Sequence, residues 1–197
     1  MIFRYVQADT NPNIQQAIYG DIIIGTGHSY KMLHGDFFYE DKRYILDTNF
    51  DGQILFKKNN IVVGEVSEKL KVLKTGRFFS SGYSYFDFKI NNRSFIVYNI
   101  CFGKRNQIYY QIEENGKTVG MVQKASMSFN NKAEYTCYTE DSEMAEFLSL
   151  WCLFLQSSKY YPFMVSGEGN VIKTSMELSS KEKRKLFDND YVSKIEW

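Results

Sequence analysis

Proline is nearly missing from this chain: Pro12 and Pro162 are the only two among 197 residues. A Pro-rich linker or stalk is thereby excluded. Cysteine is scarce as well. Cys101, Cys137 and Cys152 are odd in number, widely spaced and without a CxxC pair, which argues against both a disulfide framework and a zinc site. Each sits among apolar or aromatic neighbours, so the expectation is buried thiols in a reducing compartment. His28 and His34 are the only histidines; they lack the spacing of a metal-binding pair on a helix, and no acidic or Cys cluster joins them. The N-terminus has no basic stretch leading into an apolar run and reads as a strand, not a signal peptide. No period of about 20–50 residues recurs, which rules out a propeller or solenoid. A strong charge of one sign is lacking too: the formal net charge is +1, and nucleic-acid binding is not expected from it.

Aromatics, by contrast, are plentiful, with 15 Tyr and 16 Phe. Broad amphipathic rings suit half-buried sheet faces. Turn dipeptides punctuate the chain at Asp51-Gly52, Asn59-Asn60, Asn91-Asn92, Asn115-Gly116 and Asn130-Asn131. Asn and Asp tolerate positive φ, so these pairs suit tight hairpins. Strand-length runs lie between them, over 53–56, 61–66, 83–90, 94–100, 107–112 and 118–122. Many short strands at regular spacing predict a mainly β fold, a sandwich or a barrel.

One segment breaks this rhythm. Residues 144–155 are apolar almost all the way round, with Glu146 and Ser149 the interruptions and Gln156 just beyond. Asp141 or Ser142 can cap the helix, and Glu143 and Glu146 oppose the positive end of its dipole. About twelve residues are too few for a membrane span, which needs about twenty. The segment therefore reads as a core helix wrapped on all sides. Beyond Pro162 the texture changes. Residues 166–170 look like a mobile loop, and Ser179 with Glu182 forms a capping-box match ahead of a short charged helix over 181–187. The predicted organisation is one domain over 1–162, with its helix at about 142–157, and a C-terminal appendage over 163–197.

Few residues suggest chemistry. Gly25-Thr26-Gly27 follows an apolar run, but neither a helix pattern nor a Walker lysine follows, and a β-turn is the plainer reading. His28 or His34 as a catalytic base would need a partner such as Cys101 brought close by the fold. Asp36, Glu40 and Asp41 could supply paired carboxylates or sit in a solvated loop. Charge is unevenly spread: residues 57–105 carry ten basic and three acidic residues. Such a stretch could face anionic lipid or an acidic partner, or mark the solvent faces of strands. Within it, Lys57-Lys58 and Lys104-Arg105 lie beside predicted turns and are the candidates for binding an anion or lipid head group; the competing reading is ordinary exposed turn charge. No catalytic constellation, metal site or cofactor motif is legible, so a non-enzyme without cofactor is expected.

The hairpin over 112–124, the strand Glu134–Tyr138 and the acidic lead into the 144–155 helix together resemble the end of the tubby C-terminal-like superfamily, which includes LURP-one-related proteins and phospholipid scramblases. The resemblance covers residues 20–160 in layout; the 163–197 tail departs from it. It implies a closed antiparallel barrel of about twelve strands around a central hydrophobic C-terminal helix. It also implies a non-enzymatic module, cytoplasmic or peripheral at a membrane, binding phosphoinositide head groups through basic surface residues. The partner would then be anionic phospholipid. Two other readings stand beside it: a protein-interaction or immunity-type protein whose tail meets a protein partner, and a lipocalin-like carrier with an open barrel.

Overall fold

A computed structural model describes residues 1–9, 13–30, 33–74, 80–103, 108–125, 127–129, 133–157, 164–165, 171–173 and 178–195. Strands come first: β1 (Ile2–Gln7), β2 (Ile14–Tyr19), β3 (Ile22–Tyr30), β4 (His34–Tyr39), β5 (Lys42–Thr48), β6 (Ile54–Lys58), β7 (Ile61–Lys74), β8 (Ser80–Ile90), β9 (Arg93–Cys101), β10 (Ile108–Glu114), β11 (Lys117–Lys124), β12 (Met127–Phe129) and β13 (Glu134–Tyr138). The helix α1 (Glu143–Ser157) follows, then β14 (Met164–Val165), β15 (Val171–Lys173), α2 (Lys181–Arg184) and α3 (Asn189–Ile195). Strands β1 to β11 pair each with the next, and β13 inserts between β11 and β1 to close a barrel of twelve strands. Every pairing is antiparallel. The short strands β12, β15 and β14 form a separate sheet.

Asparagine sets three of the hairpins. Asn59-Asn60, Asn91-Asn92 and Asn115-Gly116 all take positive φ, between +49° and +73°, the backbone that a two-residue turn between right-twisted strands requires. A fourth turn, Glu40-Asp41, has Glu40 at φ +53°; a glutamate there carries no sequence signal for a turn. Asp51-Gly52 lies in a longer loop tied by the Asn49 side chain, whose Oδ1 accepts from the Asp51 and Gln53 amides at 3.0 and 2.9 Å. Asn130-Asn131 and the expected loop at 166–170 lie outside the described residues.

Gly25-Thr26-Gly27 is not a turn. It lies within β3, where a Cβ on Gly27 would stand 2.1 Å from the Asp36 carbonyl oxygen and one on Gly25 would stand 2.6 Å from Phe37 Cζ. The glycines let the β4 backbone and the Phe37 ring press against the strand. At the other end of the chain, the cap of α2 is Ser180 and not Ser179. The Ser180 hydroxyl accepts from the Lys183 amide, while Ser179 exchanges two hydrogen bonds with the Cys101 backbone, at 2.9 and 3.1 Å.

Residues on the buried faces of strands all round the barrel share one apolar core with α1. Thirteen of the 15 residues of α1 are buried. Trp151 meets the rings of Phe86, Phe88, Tyr110 and Phe154 at 4.9–5.9 Å between centroids. Phe147 meets Phe95 at 5.2 Å. Asp141 caps the helix, its Oδ1 accepting from the Glu143 amide at 2.8 Å. Residues 178–195 lie against the outside of the wall. Gln111 accepts from the Asp188 amide at 2.7 Å and donates to the Leu186 carbonyl at 2.8 Å. Phe187 packs on Tyr109 and Phe102, and Tyr191 on Met121 and Tyr138.

This meander gives the barrel two unlike ends. Tyr19 pairs with Ile22, Tyr39 with Lys42, Lys58 with Ile61, Ile90 with Arg93 and Glu114 with Lys117. These two-residue connections alternate along the chain with longer ones, so all of them close the same end. The longer connections, after β1, β3, β5, β7, β9 and β11, all belong to the opposite end.

Candidate functional site

At the turn end, the first turns of α1 meet the wall in a polar cluster. Lys42 Nζ donates to Glu146 Oε2 at 2.7 Å, and the Tyr44 hydroxyl donates to Glu146 Oε1. The hydrogen bond to Glu146 holds the Lys42 ammonium above its ordinary pKa. Burial, then that same carboxylate, pushes the Tyr44 phenol up. Beside them Arg93 grips Glu114 with two hydrogen bonds of 2.9 and 2.8 Å and lies over the rings of Phe95 and Phe147. A cavity of about 310 Å³ opens here, lined by Tyr39, Glu40, Lys42, Arg93, Ser142, Glu143, Glu146 and Phe147. Both of its cations are engaged by carboxylates, so the cluster fastens helix to wall and offers no free positive charge to an anion.

Lys57 and Lys58, the expected binding pair, do not share a face. Lys57 points along the outer wall and donates to Asp47 Oδ2 at 2.5 Å. Lys58, one residue on, faces the other way, with its Nζ 6.0 Å from the centre of the Tyr44 ring. Strand alternation separates neighbours onto opposite faces. Lys104 and Arg105 lie outside the described residues.

The histidines join the same wall. His34 Nδ1 is 3.0 Å from Asp47, and His28 Nδ1 is 3.1 Å from Asp36, which also accepts from Arg43 at 3.0 Å. Asp36 therefore serves two cross-strand partners instead of pairing with Glu40 or Asp41. Hydrogen bonding to Lys57 holds the Asp47 carboxyl below its usual range. Among the described residues no group of three or more His, Cys, Asp or Glu could hold a metal ion.

The loop end is different. Strand β6 pairs with β7 only as far as Val66, and β9 pairs with β8 only as far as Phe86. Beyond those points β7 and β8 continue together to Lys74 and Ser80 as a two-stranded ribbon, with Tyr83 and Tyr85 packed against Tyr98 of β9. Leu70 and Val72 stand 69% and 60% exposed on it, beside the exposed Lys69 and Lys71. Lys71 Nζ lies 5.9 Å from the centre of the Tyr83 ring, its partner across the ribbon. The adjoining loop carries Phe50, which is fully exposed. Loop and ribbon flank a groove of about 420 Å³ lined in part by Asp51, Glu65, Glu68, Lys69, Asp87 and Lys89, in which Lys89 donates to Glu65 at 2.8 Å.

No known protein family, curated protein or solved structure matches this chain.

The residues that distinguish the loop end, Phe50, Lys69, Leu70, Lys71 and Val72, were not among the sequence candidates. Their signal is visible in hindsight as Lys-Leu-Lys-Val-Leu-Lys over 69–74. Over 69–72 it alternates, and its apolar members Leu70 and Val72 stand exposed. No helix among the described residues is long and apolar enough to cross a membrane.

Proposed function

We propose that this protein is a non-enzymatic binding module that docks on anionic lipid surfaces with the loop end of a tubby-like barrel. The observation that carries the reading is the β7–β8 ribbon, an arm that outruns both neighbouring strands with Leu70 and Val72 exposed on one face and Lys69 and Lys71 on the other. A ribbon with aliphatics on one face and basic side chains on the other suits the boundary between lipid head groups and acyl chains. The charge of the two ends supports the same orientation. In sequence, the longer connections carry Lys31, Arg77, Lys104, Arg105 and Lys132 against Asp9 and Asp51. The two-residue turns and the 139–142 connection carry Asp21, Glu40, Asp41, Glu140 and Asp141 and no basic residue. An anionic surface attracts the first end and repels the second.

Each basic residue close to such a surface contributes about 1 kcal/mol. Lys69 and Lys71 together would contribute about 2 kcal/mol, roughly thirtyfold in affinity. Partial burial of Phe50, Leu70 and Val72 adds a similar amount. Both terms are needed, because Asp51, Glu68 and Asp87 stand close by and offset part of the charge.

A filled barrel fits this reading. We take α1 to occupy the lumen, on three supports: its near-complete burial, its contacts with β1, β3, β4, β11 and β13, and the placement of its ends. Glu146 meets Lys42 and Tyr44 at the turn end, while the Ser157 carbonyl accepts from the Leu33 amide at the loop end, at 2.9 Å. At 1.5 Å per residue α1 is about 22 Å long, which suits the height of the wall. A helix there leaves no space for a carried ligand and favours binding outside the barrel.

Co-sedimentation of the full chain with phosphatidylcholine vesicles, with and without phosphatidylserine, tests the proposal. Binding is expected only with phosphatidylserine, weakening as salt rises. The double variant Leu70→Asp, Val72→Asp should lose about tenfold or more in affinity with an unchanged unfolding midpoint. Absence of binding at low salt, or equal binding to both vesicles, overturns the reading.

A further inference from the structure

One pair of nucleophilic side chains has no part in the binding surface. Cys137 lies on the buried face of β13 and Cys152 on α1, with their Sγ atoms 3.8 Å apart. Both residues are fully buried and both are free thiols. Strand β13 is wall and α1 is filling, so this contact joins the two parts of the molecule. Cys101 belongs to β9, three strands round the wall from β13. At about 4.8 Å per strand that is roughly 14 Å, beyond the reach of a disulfide to Cys137.

We infer that Cys137 and Cys152 are a redox lock, a dithiol that closes to a disulfide and fastens α1 to β13. A bond requires the sulfurs to approach from 3.8 Å to about 2 Å, a shift within reach of side-chain rotation. The oxidant is a low-molecular-weight disulfide of the glutathione class. One cysteine attacks as its thiolate, forming a mixed disulfide and releasing one small thiol, which takes up the proton. The second cysteine loses its own proton and displaces the other small thiol. Two protein thiols and one small disulfide thus give one protein disulfide and two small thiols. The two electrons pass from the cysteines to the reagent.

The lock is gated by the core around it. No reagent reaches a fully buried sulfur while α1 is seated. Burial, then the hydrogen bond with Cys137, pushes the Cys152 thiol well up, which keeps it protonated and slow to react. Exchange therefore occurs before α1 docks during folding, or when the helix transiently leaves β13. Once formed, the bond closes a loop of about 15 residues and should raise the folding equilibrium constant by roughly a hundredfold.

The test refolds the full chain in a mixture of oxidised and reduced glutathione. Free thiols are then alkylated in denaturant, and the peptides are mapped by mass spectrometry. The expected result is a Cys137–Cys152 linked peptide with Cys101 alkylated, and a urea midpoint above that of the reduced protein. Dithiothreitol should reverse both, and Cys152→Ala should lose both. The Cys101→Ala chain should retain both, and comparing its oxidised and reduced forms gives the answer within one protein if Cys152→Ala fails to fold. The native protein should be cross-linked far more slowly than the refolding chain. Three alkylated cysteines after refolding, a link through Cys101, or an unchanged midpoint overturns the inference.

Discussion

Lys57 and Lys58 are neighbours in the chain and strangers in the fold. Lys57 is held by Asp47 on the outer wall, and Lys58 stands over the Tyr44 ring. Replacing either by Ala should therefore leave affinity for phosphatidylserine vesicles within about twofold, since a neutralised or turned-away lysine adds little. Lys69→Ala with Lys71→Ala should lower it by about tenfold or more. A larger loss from the first pair than from the second, in the same sedimentation assay, would relocate the binding surface. Glu146 makes a separate point about single residues. It is a buried carboxylate in an otherwise apolar helix, and its partners Lys42 and Tyr44 lie more than a hundred residues earlier. Glu146→Ala leaves the Tyr44 hydroxyl without its acceptor and should cost about 1–3 kcal/mol in urea unfolding. Nothing in the local sequence marks that pairing, because it depends on closure of the whole wall.

Among the elements, α1 is the most legible. Its all-round apolarity is itself the signature of burial, and 13 of its 15 residues are buried. Trp151→Ala removes a ring that touches four others and should cost about 3–5 kcal/mol, read from the urea midpoint. The Asn-rich hairpins were legible for an equally local reason, since Asn at positive φ is a property of the turn itself. The turn at Glu40-Asp41 was not, because glutamate reaches that backbone only when the flanking strands impose it. The ribbon was legible only in part. Strand runs were expected over 61–66 and 83–90, but β7 extends to Lys74 and β8 begins at Ser80. Alternation past Val66 is plain in the letters, yet a run of lysines and aliphatics has the same form whether a core receives it or solvent does.

Over the whole molecule, buried ionisable groups set a definite response to pH. Burial lowers Lys124 to about 7 and Lys183 to about 8. In the unfolded chain both hold their protons up to about 10.5. Between those values the unfolded state binds more protons than the folded one, so stability rises with pH. Above about 10 the balance reverses. Burial raises Tyr98 and Tyr191 to about 12, and pushes Tyr5 and Tyr44 up as well. The unfolded tyrosines then ionise first and draw the chain open. On the acid side Asp47, held down by Lys57, and Glu114, held down by Arg93, stabilise the fold above their ordinary values of 3.8 and 4.5. That contribution is lost as pH falls through their lowered values. Urea midpoints should therefore climb from about pH 7 to a maximum near 10 and fall on either side. Lys124→Met should flatten the climb and raise the midpoint at neutral pH. A wild-type midpoint that falls between about pH 7 and 9 would contradict this assignment.

The seam that closes the barrel also sets a timetable. Strand β1 pairs with β13, and the amino group of Met1 donates to the Thr139 carbonyl at 2.6 Å, across 138 residues. On a ribosome, then, β1 must wait until β13 has been made before its outer edge is satisfied. Until that moment the nascent chain is an open sheet with two bare margins, the state most exposed to pairing with another copy of itself. The segment that ends this vulnerable interval is followed within five residues by α1. Sealing of the wall and arrival of the helix are thus nearly simultaneous events in synthesis, and any delay that holds back residues 134–157 prolongs the hazard.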